Sequence, residues 1–179
     1  MSAATNSGAG QVPTTLEDFM AQALQMELDA VQRYNDFADM METHNNFEVE
    51  HWFRKMALVE GKHADQIMSE MGWTQPPPLK VATHIFEGFE TPEMASTDDL
   101  HYLMKPWHVL QLALAAEERA ERFFAKLASV ATVESVRKAA LELQQEEAEH
   151  VQIVKEWLLK VPQPEANWAE DPDPPRYDD

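Results

Sequence analysis

The chain has 179 residues, a formal net charge of −18 and no cysteine. This charge argues against nucleic acid or an anionic membrane as a partner, because both require a basic protein face. The lack of cysteine excludes disulfides, thiolate metal sites and a cysteine nucleophile. Any bound metal must therefore be held by histidine and carboxylate side chains.

The first 13 residues, MSAATNSGAGQVP, are small and polar and are expected to be disordered. They contain neither the basic nor the apolar region of a secretory signal. No apolar run in the chain approaches the roughly 18 residues that suggest a membrane span. We therefore expect a cytoplasmic protein.

Two helices are predicted in the first half of the chain. The stretch TTLE places Thr14 and Glu17 as a capping box at the start of the first helix, in which apolar residues recur every three or four positions. The stretch ETHNN interrupts this pattern. A second helix follows, with Val49 and Phe53 on its apolar face, and is predicted to end near Gly72.

A proline-rich connection of roughly 25 residues follows Gly72, a length that indicates a crossover or a functional loop. The stretch STDD at 96–99 is predicted to cap a third helix, which Pro106 kinks or restarts, and a fourth helix is predicted over 133–159. Residues 161–179 are rich in proline and acid, which predicts an extended or poorly ordered tail. Residues 14–160 thus form an all-α four-helix bundle of the ferritin-like type, in which a long crossover joins two helical hairpins.

The apolar face of every predicted helix is interrupted by a carboxylate, and in two helices a histidine follows three residues later. The six residues are Glu27, Glu60, His63, Glu117, Glu147 and His150. An ionised carboxylate buried alone is costly, and four together would repel one another. Two divalent cations would balance the four negative charges. The sequence therefore predicts a buried dinuclear metal site with these six residues as ligands.

The two halves of the chain repeat this pattern in register. MELDAVQRYNDFA at 26–38 aligns with AEERAERFFAKLA at 116–128, which pairs Glu27 with Glu117. One Glu from each of two helices, with Glu-x-x-His from each of the other two, is the ligand set of di-iron and di-manganese carboxylate bundles. A small residue, Gly61 or Ala148, follows the Glu of each Glu-x-x-His motif, which suggests close helix approach.

Other polar and aromatic residues are assigned simpler roles. The remaining five histidines have no partner at ligand spacing, so surface or capping roles are favoured for His44, His51, His84, His101 and His108. Tyr34 lies two turns after Glu27 on the same helix face. It is interpreted either as a packed aromatic or as a phenol that hydrogen-bonds a ligand or undergoes redox chemistry.

With these residues in place, the chain resembles the rubrerythrin branch of the ferritin-like superfamily over about 14–160. The motifs that carry the resemblance are ELDAVQRY, LVEGKHADQI, EERAERFF and EEAEHVQI. The resemblance implies two iron ions per chain, although manganese or a mixed pair remains an alternative. It assigns bridging roles to Glu60 and Glu147, terminal roles to Glu27 and Glu117, and one metal to each histidine. It also implies a homodimer and oxidation of the metal pair by hydrogen peroxide or oxygen.

The chain departs from the rubrerythrin pattern in two respects. Rubrerythrins usually carry a cysteine-rich rubredoxin domain as electron donor, and this chain has no cysteine, so a separate donor is expected. They also tend to have a further Glu one turn after the helix-three ligand, where this chain has Ala120.

The function predicted first is a di-iron oxidoreductase that reduces peroxide or oxygen. The alternatives are a ferroxidase that handles iron and, less favoured, an oxygenase acting on an organic substrate.

Overall fold

The computed structural model describes residues 12–79 and 100–171. Within these ranges the chain forms four helices and no strand: α1 (Leu16–Thr43), α2 (Phe47–Met71), α3 (Pro106–Val130) and α4 (Glu134–Leu158). Helix α1 packs along α2, and α3 packs along α4, so the molecule consists of two helical hairpins whose contacts with each other run through α2–α3 and α1–α4. The predicted all-α four-helix bundle is confirmed. Most of the predicted crossover, residues 80–99, lies outside the described residues.

Two predicted helix starts are corrected. The cap of α1 is Thr15 rather than Thr14, since the Thr15 hydroxyl accepts a hydrogen bond of 3.1 Å from the Asp18 backbone N–H. Helix α3 begins at Pro106, whereas 100–105 are not helical. Proline suits the first helical position because its missing N–H would have no partner there. The predicted STDD cap lies outside the described residues.

The other ends of the first hairpin follow sequence signals. Asn46 caps α2 through its side-chain oxygen, which accepts from the Val49 N–H at 3.3 Å. Gly72 ends the helix in the left-handed conformation (φ 66°), as predicted. The Asn46 amide also donates to the carbonyls of Tyr102 and Met104, each at 2.9 Å, so this cap joins the α1–α2 turn to the start of α3.

The apolar core is divided into two clusters along the bundle axis. The first cluster lies near the start of α1 and the end of α2, and Leu24 and Phe124 are among its fully buried members. The second lies near the end of α1 and the start of α2, around Phe53 and Leu110. The two clusters contain residues of all four helices, so they enclose the level of the bundle between them from both ends.

The segment after α4 returns to the bundle within the described residues. Trp168 packs against the second cluster, and residues 166–169 form turns rather than an extended arm. Residues 1–11 and 172–179 are outside the described ranges. None of the described helices is both long enough and apolar enough to cross a membrane.

Candidate metal centre

The six predicted ligands form two groups, one on each hairpin. Glu27 of α1 lies with Glu60 and His63 of α2, and the ligand atoms of these three side chains fall within 4.8 Å of one another. Glu117 of α3 meets Glu147 and His150 of α4 within the same limit. Helical geometry explains both groups, because residues three apart lie on the same face one turn apart and the antiparallel neighbour supplies the remaining carboxylate.

The two groups have nearly the same dimensions. His63 Nδ1 lies 3.3 Å from Glu60 Oε2 and 3.8 Å from Glu27 Oε2. His150 Nδ1 lies 3.3 Å from Glu147 Oε2 and 3.6 Å from the Glu117 Oε2 atom. In both groups the imidazole therefore turns its Nδ1 atom toward two carboxylates, so the internal repeat in the sequence is also a repeat in the geometry of the site.

The histidines bring the two groups together. The His63 and His150 rings are parallel to within 3°, and their centroids are 4.0 Å apart. Metal ions bound at the two Nδ1 atoms would therefore be neighbours. Two-metal sites in proteins have ions about 3.5–4 Å apart. The close, parallel rings place the two Glu/Glu/His groups side by side, as a dinuclear centre requires.

Burial differs between the two kinds of ligand. The four glutamates are only 4–7% exposed, and all four lie between the apolar clusters. The side chains of His63 and His150 are each 18% exposed. Solvent thus reaches the centre on the side of the imidazoles, while the carboxylates face the dry interior.

Burial changes the acid–base properties of the carboxylates. The pKa of Glu27 rises to about 7, chiefly because burial disfavours the charged form, although hydrogen bonding to His63 acts in the opposite direction. The pKa of Glu117 also rises to about 7, again mainly through burial and against the effect of His150. Without metal, Glu27 and Glu117 are therefore each partly protonated near neutral pH.

The two imidazoles respond in the opposite sense. Burial alone would lower the pKa of His63, but its hydrogen bonds to Glu27 and Glu60 outweigh that effect and raise it to about 10. Burial likewise opposes protonation of His150, and hydrogen bonds to Glu117 and Glu147 raise its pKa to about 9. In the metal-free protein each imidazolium supplies positive charge to the same two carboxylates whose charge a bound metal ion would balance.

Tyr34 lies beside the site at the edge of the second cluster. It is buried, and its ring stacks on Phe53 with centroids 6.2 Å apart. Its pKa lies well above the usual value, mainly because of burial and then because of the negative charges of Glu60 and Glu117. These two acids belong to different hairpins, so the phenol is close to both halves of the centre and retains its proton.

A polar bridge beside the imidazoles was not predicted from the sequence. Gln66 of α2 donates through Nε2 to Glu70 at 3.0 Å and to Glu146 of α4 at 3.1 Å. Burial and the nearby Glu70 raise the pKa of Glu146, while His150 and His63 lower it. The bridge crosses between hairpins, and helix periodicity within one segment carries no signal for such a contact.

The other histidines take roles outside this centre, as far as the structure describes them. His108 Nδ1 accepts from the Lys105 N–H at 2.9 Å and helps to cap α3, which agrees with the predicted capping role. His101 and His44 contact the Tyr102 ring. His51 is exposed, and His84 lies outside the described residues. Among the described side chains, the two Glu/Glu/His groups are the sets able to hold a metal ion.

The donor set has a recognisable chemistry. Imidazole nitrogen combined with carboxylate oxygen suits first-row metals such as iron, manganese and zinc, and it lacks the thiolates that soft metals prefer. Four carboxylates balance two divalent ions when the histidines are neutral. The residues therefore fit a pair of such ions both in geometry and in charge.

Comparisons with known proteins agree with this centre. The sequence matches the family model described as rubrerythrin over residues 18–158. A crystal structure of an uncharacterized conserved protein from Magnetospirillum magnetotacticum is similar, with 33% sequence identity and a TM-score of 0.59 over 84% of this chain and 98% of that one. No curated protein matches the chain. The match to the family model spans most of the chain, including all six predicted ligands, and the protein belongs to the rubrerythrin family.

Proposed function

We propose that the protein is a di-iron oxidoreductase that reduces hydrogen peroxide or oxygen at the centre formed by the two Glu/Glu/His groups. The observation that carries the proposal is the parallel pair of imidazoles, 4.0 Å apart, each directed at its own pair of buried carboxylates. Membership of the rubrerythrin family favours iron over other metals. Manganese or a mixed pair is the alternative that the same donor set would accept.

The six ligands have distinct proposed roles. By the resemblance to rubrerythrins, Glu60 and Glu147 would be shared by the two ions and Glu27 and Glu117 would each hold one. Each histidine would hold one ion through the Nδ1 atom that faces the carboxylates. Bound iron would supply electrons and polarise the O–O bond of the substrate. For the ions to bind, His63 and His150 must first give up the protons that they hold near neutral pH.

Residues around the centre would also donate a hydrogen bond to the substrate and limit the access of water. Reduction of peroxide to water consumes protons as well as electrons. Tyr34 keeps its hydroxyl proton because burial raises its pKa, so it can donate a hydrogen bond toward the carboxylates or the substrate. The apolar clusters on either side shield the four carboxylates from bulk water, which strengthens electrostatic interactions on that side of the centre.

The proposal includes two partners. The chain has no cysteine with which to bind a rubredoxin-type iron, so electrons would come from a separate donor protein. A homodimer is proposed from the resemblance to rubrerythrins.

A second candidate function is a ferroxidase that takes ferrous iron as its substrate. Ala120 favours it, because rubrerythrins tend to have a further Glu at this position. The Ala120 side chain packs against the first apolar cluster and has no donor atom, so it adds no ligand. The two halves of the centre are then matched, with three ligands each. Matched halves suit binding and release of a pair of ions.

The two functions differ in the oxidant that they use. Metal-free protein is loaded with ferrous iron without oxygen, the number of bound ions per chain is measured, and oxidation by equal concentrations of peroxide and of oxygen is followed spectroscopically. Much faster oxidation by peroxide, with the iron retained over repeated reduction, supports the oxidoreductase. Comparable oxygen reactivity with continued uptake of ferrous iron supports the ferroxidase. Fewer than two ions per chain would refute a dinuclear centre within one chain.

A further inference from the structure

The C-terminal segment is held against the bundle by two histidines outside the metal centre. Trp168 lies on the His108 ring, with centroids 4.0 Å apart, and contacts the His101 ring edge-to-face at 5.3 Å. Three residues later, Asp171 accepts a hydrogen bond of 2.7 Å from the Tyr102 hydroxyl. The tryptophan also packs against the second apolar cluster. Aromatic contact and one polar bond thus tie residues 168–171 to His101 and Tyr102 before α3 and to His108 in the first turn of α3.

The hydrogen bonds that His101 and His108 accept at Nδ1 require both imidazoles to be neutral. The backbone N–H of Leu103 donates to His101 Nδ1 at 3.1 Å, and that of Lys105 donates to His108 Nδ1 at 2.9 Å. A backbone nitrogen can only donate, so each Nδ1 must be free of hydrogen. Protonation would place a hydrogen on Nδ1, facing another donor, and both bonds would be lost.

We propose that His101 and His108 form a pH-sensitive latch, which holds the C-terminal segment on the bundle when the imidazoles are neutral and releases Trp168 when they are protonated. The two bonds hold the His101 and His108 rings against the backbone of 101–105, and the Trp168 ring packs on these two imidazoles. When the two hydrogen bonds are lost, the imidazoles are no longer held in position to contact the Trp168 ring. The latch goes beyond the proposed function, since it uses no residue of the metal centre.

The surrounding positive charges make protonated His108 unfavourable while Trp168 is docked, so protonation favours release. Lys105 and, once protonated, His101 oppose a positive charge on His108, and His44 adds a third titratable group beside Tyr102. Burial is the largest cause that lowers the pKa of His108, and the charges of His101 and Lys105 act in the same direction. Glu165, Glu170 and Asp171 of the C-terminal segment would attract imidazolium. The two glutamates and Asp171 are exposed, so solvent and salt weaken this attraction.

The segment is suited to repeated docking. Pro162 and Pro164 lie between α4 and Trp168. Proline restricts the backbone of the undocked segment, so less conformational entropy is lost when Trp168 returns. Opening would uncover part of the second apolar cluster, at the end of the bundle far from the first cluster.

The latch can be tested by fluorine NMR of the full chain labelled with 5-fluorotryptophan. The Trp168 resonance is assigned by its absence in Trp168→Phe. We expect it to move to the position of a solvent-exposed tryptophan as the pH falls, with a midpoint below the ordinary imidazole value of about 6.5. The Trp52 and Trp157 resonances should stay in place, because these rings pack on each other and on Lys55.

Matched variants separate the latch from other effects of acid. In His101→Asn and His108→Gln combined, the amide oxygens can still accept from the same N–H groups, as in an Asx turn and a capping box, but cannot titrate. Trp168 should then stay docked down to pH 5. His51→Gln, on an exposed site of α2, should leave the wild-type transition unchanged. Glu147→Ala should also leave it unchanged, which excludes acid loss of metal as the cause.

Several results would overturn the latch. These are a Trp168 resonance that stays docked at pH 5 in the wild type, or one that moves at the same pH in the double variant. If Trp168 is already undocked at neutral pH in the double variant, the test is instead the titration of His101 and His108 in the wild type. The ring protons of His101 and His108 must titrate with the midpoint of the Trp168 shift, and a different midpoint refutes the proposal.

Discussion

A buried carboxylate lowers the stability of a helical bundle unless positive charge accompanies it, and Glu117 shows both sides of this balance. It is 4% exposed, and burial raises its pKa to about 7. Above that pH the metal-free protein must keep a charge in its interior. This charge destabilises the metal-free bundle, and a bound cation would compensate it.

Glu117→Gln is therefore expected to stabilise the metal-free protein while weakening metal binding. Glutamine has the shape of the protonated acid and carries no charge. At pH 8 we expect a gain of about 1–3 kcal/mol in the free energy of unfolding. Urea denaturation of the metal-free protein measures it, with Glu149→Gln on an exposed site as control. A loss of stability at pH 8 in Glu117→Gln would show that the carboxylate is stabilising without metal.

Glu147→Ala tests the ligand assignment directly. Glu147 is 5% exposed and lies beside His150, and it is the proposed bridge between the ions. Its removal takes one ligand from both ions, so tight binding of the pair should be abolished. Equilibrium dialysis or calorimetry with ferrous or manganous ion measures the stoichiometry. Glu149→Ala removes an exposed acid of the same helix and should still bind two ions. Unchanged stoichiometry in Glu147→Ala would contradict the assignment.

At the scale of the helix, Gly61 is an unusual residue for the middle of α2. Close helix approach is one explanation of a glycine beside Glu60. The geometry gives it little support, because a β-carbon built at position 61 would lie 4.0 Å from Val31 Cγ2, an ordinary van der Waals contact. The corresponding residue in the other hairpin, Ala148, already carries that carbon.

Gly61→Ala should consequently stabilise α2 by up to about 1 kcal/mol, since alanine restricts the unfolded backbone and is the better helix former. Thermal and urea denaturation measure the change. Gly72→Ala is the matched opposite, because position 72 has a φ of 66° that alanine adopts only with strain, so this variant should lose stability. Destabilisation by Gly61→Ala, or loss of metal binding, would restore the close-approach explanation.

The elements show which features of the fold a sequence can predict. All four helices, and the six candidate ligands that the structure brings together in two groups, were predicted, because helical periodicity and the Glu-x-x-His spacing are local patterns repeated in both halves. The starts of α1 and α3 were predicted less well, since neighbouring threonines compete for a cap and a proline can begin a helix as well as bend it. The Gln66 bridge and the docking of Trp168 depend on contacts between distant segments, for which a single sequence gives no local signal.

At the scale of the molecule, each hairpin carries a complete set of one histidine and two carboxylates. The spacing between the two sets therefore depends on how the hairpins pack together. Where the structure describes it, this packing is less extensive than the packing within each hairpin. A pair of ions bound to both hairpins would reinforce their association, so metal binding and stability of the bundle should be linked.

The stability of the metal-free protein should fall as the pH rises. In the metal-free protein the pKa values of Glu27 and Glu117 rise from 4.5 to about 7, and those of His63 and His150 rise from 6.5 to about 10 and about 9. All four groups bind protons more tightly in the folded state. Their contribution to stability is therefore greatest at low pH and declines as the pH rises through these values.

Metal binding reverses this trend, because both imidazoles must release their protons before they can bind ions. Between pH 6 and 8, the apparent binding constant for the pair should rise by about four powers of ten per pH unit near pH 6, where Glu27 and Glu117 must also release protons, and by about two near pH 8, where only the two imidazoles still hold them. The difference in melting temperature between manganese-loaded and metal-free protein should widen over the same range. Glu147→Ala provides the background, since it should show no such widening. A difference that stays constant or narrows as the pH rises would show that protons and metal ions do not compete for the two histidines.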